Sequence, residues 1–590
     1  MGVLTQIKGH KALGSPTFTV LIGGVDVTSK YGIVSLMINR RLNRVPIAEV
    51  VLYDGSASRG DFELSDKADF IPGGDVIIKG GYKKDEKIIF HGIIIKHSIK
   101  APLNSASTLV LELRDKCVKM TINRKNKYYS NKLDSAIISS IAGSNGVSGK
   151  VDTTEVMHKE MVQYYCTDWD FVVSRAEVNG LVVNPDAGKL NVEKPLFTLK
   201  GDSLNLKYGD NMVDFEAELD ARQDYGNVVA KNWDYSKQQV GEKKAKPPVM
   251  GKEEGNITGK KESDVLGVSE YLLQHPGKVE DQELTAWASS KLLRSRMAKI
   301  KGRVRIYGTN VVKPGDMINL MGVGKRFNGP AYVSGVLHSF SVNSTWYTDI
   351  LFGFAQEWFY EQYDNINDAP SAGLLPAMNG LVTGIVTDIV DQEGGEFRVR
   401  VRIPLIDKGE KGVWARIVSA DAGKDRGILI RPEKDDEVIM GFVNDDPRDA
   451  VILGMLYSKK NKVPSDLTPD KDNKMKGWIT KSKIKFLIDD KKKIVTIETP
   501  GKNTIIIDDD KKSITLKDQN KNKIVMDDKG VLIDTPKDFV VKAKGKITLD
   551  ATKDITASSK SGKAVIKGTS SAELSASGTT TVKGALLKLN

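Results

Sequence analysis

The chain has 590 residues, 40% hydrophobic and 28% charged, which is enough for roughly three to five domains with true cores. Its amino terminus, "MGVLTQIKGHKALGSP", lacks a continuous apolar stretch, and no apolar run approaches the ~20 residues of a membrane span, so neither a signal peptide nor a spanning helix is expected and synthesis in the cytoplasm is. The formal net charge is +12, and the two cysteines, Cys117 and Cys166, exclude a disulfide framework and a cysteine-based zinc cluster, reading instead as small buried thiols.

To about residue 160 the runs "TFTVLIGGVDV", "GIVSLMINRRL", "IAEVVLYDG", "DVIIKGGY", "IIFHGIIIKHSI" and "STLVLELRDK" alternate between Gly, Asn, Asp and Pro signals, as in a barrel or sandwich. A helix is expected in "SNKLDSAIISSIAG", ended by Gly143. In "MVQYYCTDWDFVVSRAEVNGLVV", Thr167 and Asp170 form an acidic capping box, Trp169, Val172, Val173 and Ala176 share one helical face, and Asn179 with Gly180 supplies a left-handed stop.

The polar stretch "YSKQQVGEKKAKPPVMGKEEGNITGKKESD" reads as a long exposed insertion. The helix "DQELTAWASSKLLRSRMAKI" follows, and then the strands "GRVRIYG", "MINLMGV", "AYVSGVLHSFSV" and "WYTDILFGF", which read as a second barrel ending near residue 360. "NINDAPSAGLLPAMNG" is a linker.

Residues 380–457 contain about five strands, "GLVTGIVTDIV", "EFRVRVRI", "GVWARIVS", "RGILIRPEKDDEVIMGFV" and "AVILGMLYS", the count of an oligonucleotide/oligosaccharide-binding (OB) barrel. With 11 basic and 15 acidic residues, and only Phe397, Trp414, Phe442 and Tyr457 as aromatics, this barrel lacks the positive groove and stacking platforms that nucleic acid requires. No nucleic-acid partner is expected.

From Lys459 onward there are 29 Lys, no Arg and 17 Asp plus Glu, so the whole excess of +12 lies in this tail. Lacking the bidentate guanidinium that grips phosphate, the tail reads as a lysine-rich solubilising surface. It also repeats. Asp489–Asp490, Asp508–Asp509 and Asp527–Asp528 recur every 19 residues, each after an apolar triplet ("FLI", "III", "IVM") and before another strand, so each unit is strand, charged turn, strand.

No unit buries its apolar side alone. A single-chain solenoid is one solution; three copies wound into a triangular prism is the other. The second is favoured by the thin, one-sided apolar pattern and by the absence of any aromatic after Phe539, where Ala, Ser, Thr, Gly and Lys dominate. The Asp pairs read as solvated turn tips rather than calcium sites.

Nothing points to catalysis. The histidines His10, His91, His97, His158, His275 and His338 are scattered, and His91 and His97, on one strand face, stand roughly 20 Å apart at strand rise. No zinc-protease motif, Walker loop, dinucleotide fingerprint or nucleophile elbow occurs. No catalytic, cofactor-binding or metal-binding residue is expected.

Several segments together resemble one family. "YYCTDWDFVVSRAEVNGLVV" is similar to a segment of VgrG proteins, the spike subunits of type VI secretion and related contractile injection systems, and "FVNDDPRDAVILGMLYS" resembles the end of their barrel. "FELSDKADFIPGGDVIIKGGY" and "LRDKCVKMT" resemble the Rhs-associated Vgr branch.

The resemblance implies a mainly β homotrimer. Its parts would be a phage-hub-like domain of two β-barrels with inserted helices (1–365), a linker (366–379), an OB-fold neck (380–457), a connector (458–483) and a triple-stranded β-helical needle (484–590). It further implies a hexameric tube protein and baseplate proteins at the amino-terminal base. A PAAR-type tip protein would sit on Ala585, Leu586, Leu587, Lys588, Leu589 and Asn590. Such a protein is made in the cytoplasm, built into the injection apparatus and then secreted, and it punctures the target membrane.

Neither a lysozyme-like domain between barrel and needle nor a further domain after the needle is expected. The alternatives from other classes are a β-helical fibre or adhesin binding surface glycans and a cell-wall hydrolase.

Overall fold

The computed structural model describes residues 14–82, 85–251, 254–391 and 395–589. His10 and Asn590 therefore lie outside the described residues. The chain divides into two compact units, Met1–Ala377 and Met378–Asn590.

In the first unit, strands drawn from both ends of the sequence join one 13-stranded sheet. The seam between its halves is the antiparallel pairing of Gly329–Ser341 with Ile33–Arg41, in register from Gly335 opposite Arg41 to Ser341 opposite Ser35. Each half keeps its own core, because period-two alternation sends every second side chain inward. Leu36, Ile38, Val50, Leu52, Val76, Ile78, Leu109 and Leu111 fill one, and Leu206, Val304, Ile306, Ile318, Leu320, Val333 and Ile350 fill the other. The two barrels expected from the sequence are thus two cores under a shared sheet.

Trp346, from the carboxyl-terminal half, enters the amino-terminal core, its ring 5.2 Å from Phe18 and 5.5 Å from Tyr82. Gly308 makes room for it: a Cβ there would lie 1.9 Å from the Trp346 ring.

Helices α1 (Asp134–Ser144) and α2 (Asp168–Val178) build a third core. Thr167 Oγ1 accepts the Asp170 amide at 3.1 Å, capping α2, and Trp169, Val172, Val173 and Ala176 are all buried. Gly180 turns left-handed at φ 68°, whereas Asn179 at φ −89° does not. Helix α1 runs past Gly143, and the left-handed residue behind it is Gly146. Cys117 is fully buried in this core, where desolvation pushes its thiol far up, and Cys166 is half-buried.

The stretch that reads as an exposed insertion contains regular structure. Gln239–Lys244 pairs with Asn227–Asp234, and helix α3 covers Gly259–Leu266. The strand has a polar sequence because it lies at the edge of a three-stranded sheet, where one face and one edge stay wet. Helix α4 (Asp281–Ala298) covers that sheet with Leu284, Ala288 and Leu292.

Buried charges brace the helices. Asp134, at the start of α1, accepts Arg175 Nε and Nη2 of α2 at 2.8 Å each, Asn179 Nδ2 at 2.8 Å and His158 Nε2 at 2.9 Å, while Arg175 reaches Glu283 of α4 at 2.9 Å. Burial alone would raise the Asp134 carboxyl, but the His158, Arg175 and Asn179 bonds outweigh it and hold it well below the usual carboxylate range.

In the second unit the strands Val382–Asp388, Val399–Arg402, Val413–Ile417, Glu437–Phe442 and Ala450–Met455 close a barrel around Val386, Val399, Val401, Ala415, Val438, Met440 and Ile452. The run "RGILIRPEKDDEVIMGFV" is not one strand. Ile428, Leu429 and Ile430 are exposed outside it, separated from Glu437–Phe442 by Pro432 and a left-handed Asp435.

Arg175→Ala leaves Asp134 charged, buried and without its bidentate partner, and we expect a loss of about 3–5 kcal/mol, measured by denaturant unfolding. Because the Asp134 carboxyl is depressed, its contribution is present above its unfolded value near 4 and is lost as the pH falls below that. Thermal unfolding of Asp134→Asn is expected to vary less between pH 5 and 3 (approximate bounds) than that of the native chain.

Candidate functional site: the bare face of the carboxyl-terminal ribbon

Seven strands, Met475–Ile479, Lys485–Asp489, Ile494–Glu498, Thr504–Asp508, Ser513–Lys517, Lys523–Asp527 and Gly530–Asp534, pair in sequence order as an antiparallel ladder. The 19-residue repeat is therefore one hairpin and the turn that leads to the next. The first strand comes from the segment that reads as a connector, and its Trp478 stacks on Phe486 at 4.3 Å and 12°.

The Asp-rich turns have a local cause. Asp489 Oδ1 accepts the amides of Lys491 (3.1 Å) and Lys492 (3.0 Å), Asp508 Oδ1 that of Lys511 (3.0 Å) and Asp527 Oδ1 that of Lys529 (2.9 Å). A short carboxylate satisfies the turn's amides and reverses the chain. Asp508 is not a solvated tip: it is only 4% exposed. Among the described residues, no group of three or more His, Cys, Asp or Glu is arranged to hold a metal ion.

In the turns between, Asp518 accepts the amides of Asn520 and Asn522 at 2.9 and 2.8 Å. The Asn522 side chain, at 2.7 Å, is the main reason its carboxyl lies below the usual range. Each turn also needs a left-handed residue, and Lys fills that place five times, at Lys483, Lys493, Lys502, Lys512 and Lys521. The lysine spacing of nine or ten residues is a signal the 19-residue Asp repeat concealed.

Register decides the faces. On one face Phe486, Ile497, Ile505, Leu516, Ile524 and Ile533 stand opposite one another strand by strand, and beside them run Ile488, Val495, Ile507, Ile514, Met526 and Val531. The other face has a single central row, Leu487, Thr496, Ile506, Thr515, Val525 and Leu532, flanked largely by Lys, Asp, Glu, Ser and Thr. In the double row, Ile505, Ile507, Ile514, Leu516, Ile524 and Met526 are 37–43% exposed. This continuous apolar stripe has no cover among the described residues.

Beyond the ladder, residues 536–589 contain no strand and every side chain is exposed. Its Lys537 and Gly562 amides bond locally, to Thr535 Oγ1 at 3.2 Å and Ser559 Oγ at 3.0 Å, but no strand pairs with it among the described residues. Ala585, Leu586, Leu587, Lys588 and Leu589 end this segment, exposed, and Asn590 lies outside the described residues.

The histidines of the first unit are dispersed and locally bonded: His91 to Asp75 at 3.1 Å, His97 to Ser65 and the Phe70 carbonyl at 2.7 Å each, His338 to Thr348 at 3.0 Å. Desolvation pushes buried His338 down to about 3. Among the described residues, no helix is long and apolar enough to cross a membrane.

Three family models match successive parts of the chain: the Alg8 N-terminal domain at 13–341, the type VI secretion system/phage-baseplate injector OB domain at 382–457, and the phage baseplate V C-terminal trimerisation domain at 494–585. An injector OB barrel followed by a trimerisation ladder defines a VgrG-like spike of the type VI secretion and phage-baseplate class. With more than half its length matched by the first of these models, the chain belongs to the Alg8 N-terminal domain family.

Similar solved structures include the 43 kDa tail protein of prophage MuSo2 from Shewanella oneidensis (14% identity, 58% of this chain and 99% of that one, TM-score 0.42). The E. coli c3393 protein, described as a component of the type VI secretion system, is 12% identical over 74% of this chain and 99% of that one, with TM-score 0.36. The Francisella PdpA–VgrG complex gives 11% identity over 89% and 81%, with TM-score 0.38. No curated protein matches the chain.

Because a left-handed Lys carries a backbone cost of about 1 kcal/mol that Asn largely avoids, Lys512→Asn is expected to stabilise the ladder by several tenths of a kcal/mol to about 1 kcal/mol. Denaturant midpoints of native and variant protein, compared at equal concentration, check this.

Proposed function

We propose that the chain is the homotrimeric spike of a contractile injection apparatus, capping the inner tube with its amino-terminal unit and puncturing the target membrane with its carboxyl-terminal ribbon. One observation carries the reading: the uncovered double row of branched apolar side chains along the ladder. Burying the remaining exposed part of each such residue contributes about 1 kcal/mol, and the row repeats on every strand from 485 to 534.

Three ribbons, each presenting one such face to a common axis, hide all of it. In the trimer the segment 536–589 acquires the strand neighbours it lacks alone, and its small side chains narrow the shaft toward the end. The terminal residues 585–590 receive a cone-shaped PAAR-type tip protein, while a hexameric tube protein and baseplate proteins meet the hub.

The domains follow as proposed from the sequence: hub 1–365, linker 366–379, neck 380–457, connector 458–483 and needle 484–590. The apparatus carries the protein out of the cell that makes it. Its work is mechanical, since strands from three chains separate only together and share the load.

Sedimentation equilibrium of the purified chain is expected to give three times 64.8 kDa. The double variant Ile507→Asp/Leu516→Asp, which places charge in the double row, is expected to sediment as a monomer. Thr515→Lys, on the other face, is expected to stay trimeric. A native chain that sediments as a monomer with a protease-resistant ribbon overturns the proposal.

A further inference from the structure

After its last sheet strand, Tyr347–Phe352, the chain leaves the hub through residues 353–367 toward the linker. This segment contains only one short helix, α5 (Phe359–Gln362), so most of its backbone groups have no ladder partner. Two arginines bond six of its carbonyls.

Arg294, on α4, donates from Nη2 to the carbonyls of Ala355 (3.0 Å) and Glu357 and from Nε to that of Gln356 (3.4 Å). Arg124, on the hairpin Arg124–Leu133/Met157–Thr167, donates from Nη2 to Asn365 O (2.5 Å) and Asn367 O (3.1 Å) and from Nη1 to Ile366 O (3.0 Å). Each guanidinium thus holds three consecutive carbonyls.

Both clamps are tied back into the hub. Arg294 Nη1 meets Glu177 Oε1 at 2.6 Å in a buried pair, Asn43 donates to the same carboxylate at 2.9 Å, and Glu177 Oε2 accepts the Phe359 amide at 2.7 Å. Arg124 Nη1 also holds the Tyr165 carbonyl at 2.7 Å, on the partner strand of its own hairpin, where Tyr165 sits left-handed at φ 40°. Phe359, between the clamps, and Ile366, within the second, plug the helical core.

We infer that Arg124 and Arg294 are positioning residues that anchor the outgoing chain, fixing the point at which force passes from hub to linker. The purpose of this anchor rests on the spike reading above; its existence as an anchor does not. Tension applied along residues 353–367 meets bonds to successive carbonyls that share one rigid planar fork, so they break as a group instead of one at a time. Only arginine, with five donors in fixed geometry, serves; a lysine ammonium is a point donor on a flexible stem.

Hydrogen exchange of the full chain, read by mass spectrometry, tests the anchor. Arg124→Ala is expected to speed exchange about tenfold or more in residues 358–363, whose Trp358, Phe359 and Glu361 amides are hydrogen-bonded, the population change expected when charge-assisted hydrogen bonds are lost, with strands Ile33–Arg41 and Thr108–Arg114 unchanged. Arg124→Lys is expected to fail to restore protection, which separates clamping from mere charge. Unchanged exchange in Arg124→Ala, or full protection in Arg124→Lys, overturns the clamp. Should Arg124→Ala disturb the hub strands, Arg124→Gln, which keeps the stem and two donors, is read in the same way.

The mechanical role is tested by pulling single molecules between residues 16 and 458. Arg124→Ala is expected to release residues 359–367 early, lengthening the chain by about 30 Å before the hub yields. Identical traces for native and variant chains overturn that role. A native chain that does not trimerise contradicts the spike reading but leaves the exchange result standing.

Discussion

A β-ladder with an apolar face has to be covered, and every feature of the carboxyl-terminal ribbon follows from being unable to cover its own. Consecutive hairpins place strand beside strand with no crossover, so the sheet cannot fold back on itself the way a helix-covered or sandwich sheet does. The register stacks Ile505, Leu516 and Ile524 in one row and Ile507, Ile514 and Met526 in the next, leaving a stripe rather than scattered residues. Water tolerates single exposed isoleucines; it does not tolerate a continuous row of them without association.

The first unit solves the opposite problem. Its sheet already buries two cores, and what remains is to hold helices and loops against it at fixed positions. Buried ion pairs do this where apolar contacts alone leave alternatives: Asp134 with Arg175 ties α1 to α2, Glu177 with Arg294 ties α2 to α4, and Arg40 meets Asp186 at 2.7 Å. Such pairs add little net stability over an apolar substitute, but breaking one is expensive because the surviving charge stays buried. They specify arrangement more than they strengthen it.

What could be read from the sequence depended on range. The Thr167 cap, the Trp169–Ala176 face and the Asp repeat were legible because each is a pattern within a few residues or a fixed period. Gln239–Lys244 was not, since an edge strand with a wet face carries no apolar alternation. Trp478 was missed as a ladder residue because its strand precedes the first Asp pair and shares none of the repeat's charge pattern. The bonds of Arg124 to the carbonyls at 365–367 span more than 240 residues and run to the backbone, which leaves no trace in side-chain identity at the receiving end. The parts of the interface were visible as one-sided strands; the double row appeared only once pairing fixed which residues stand opposite.

The left-handed lysines of the ribbon turns bear on how the protein is made. A glycine in each of those places would let the hairpins close readily in a lone, newly synthesised chain, whereas Lys483, Lys493, Lys502, Lys512 and Lys521 each make closure harder. In the trimer proposed above, hairpins so handicapped gain their stability chiefly from sister chains, which makes ribbon formation a reaction of high molecular order, with closure and association proceeding together.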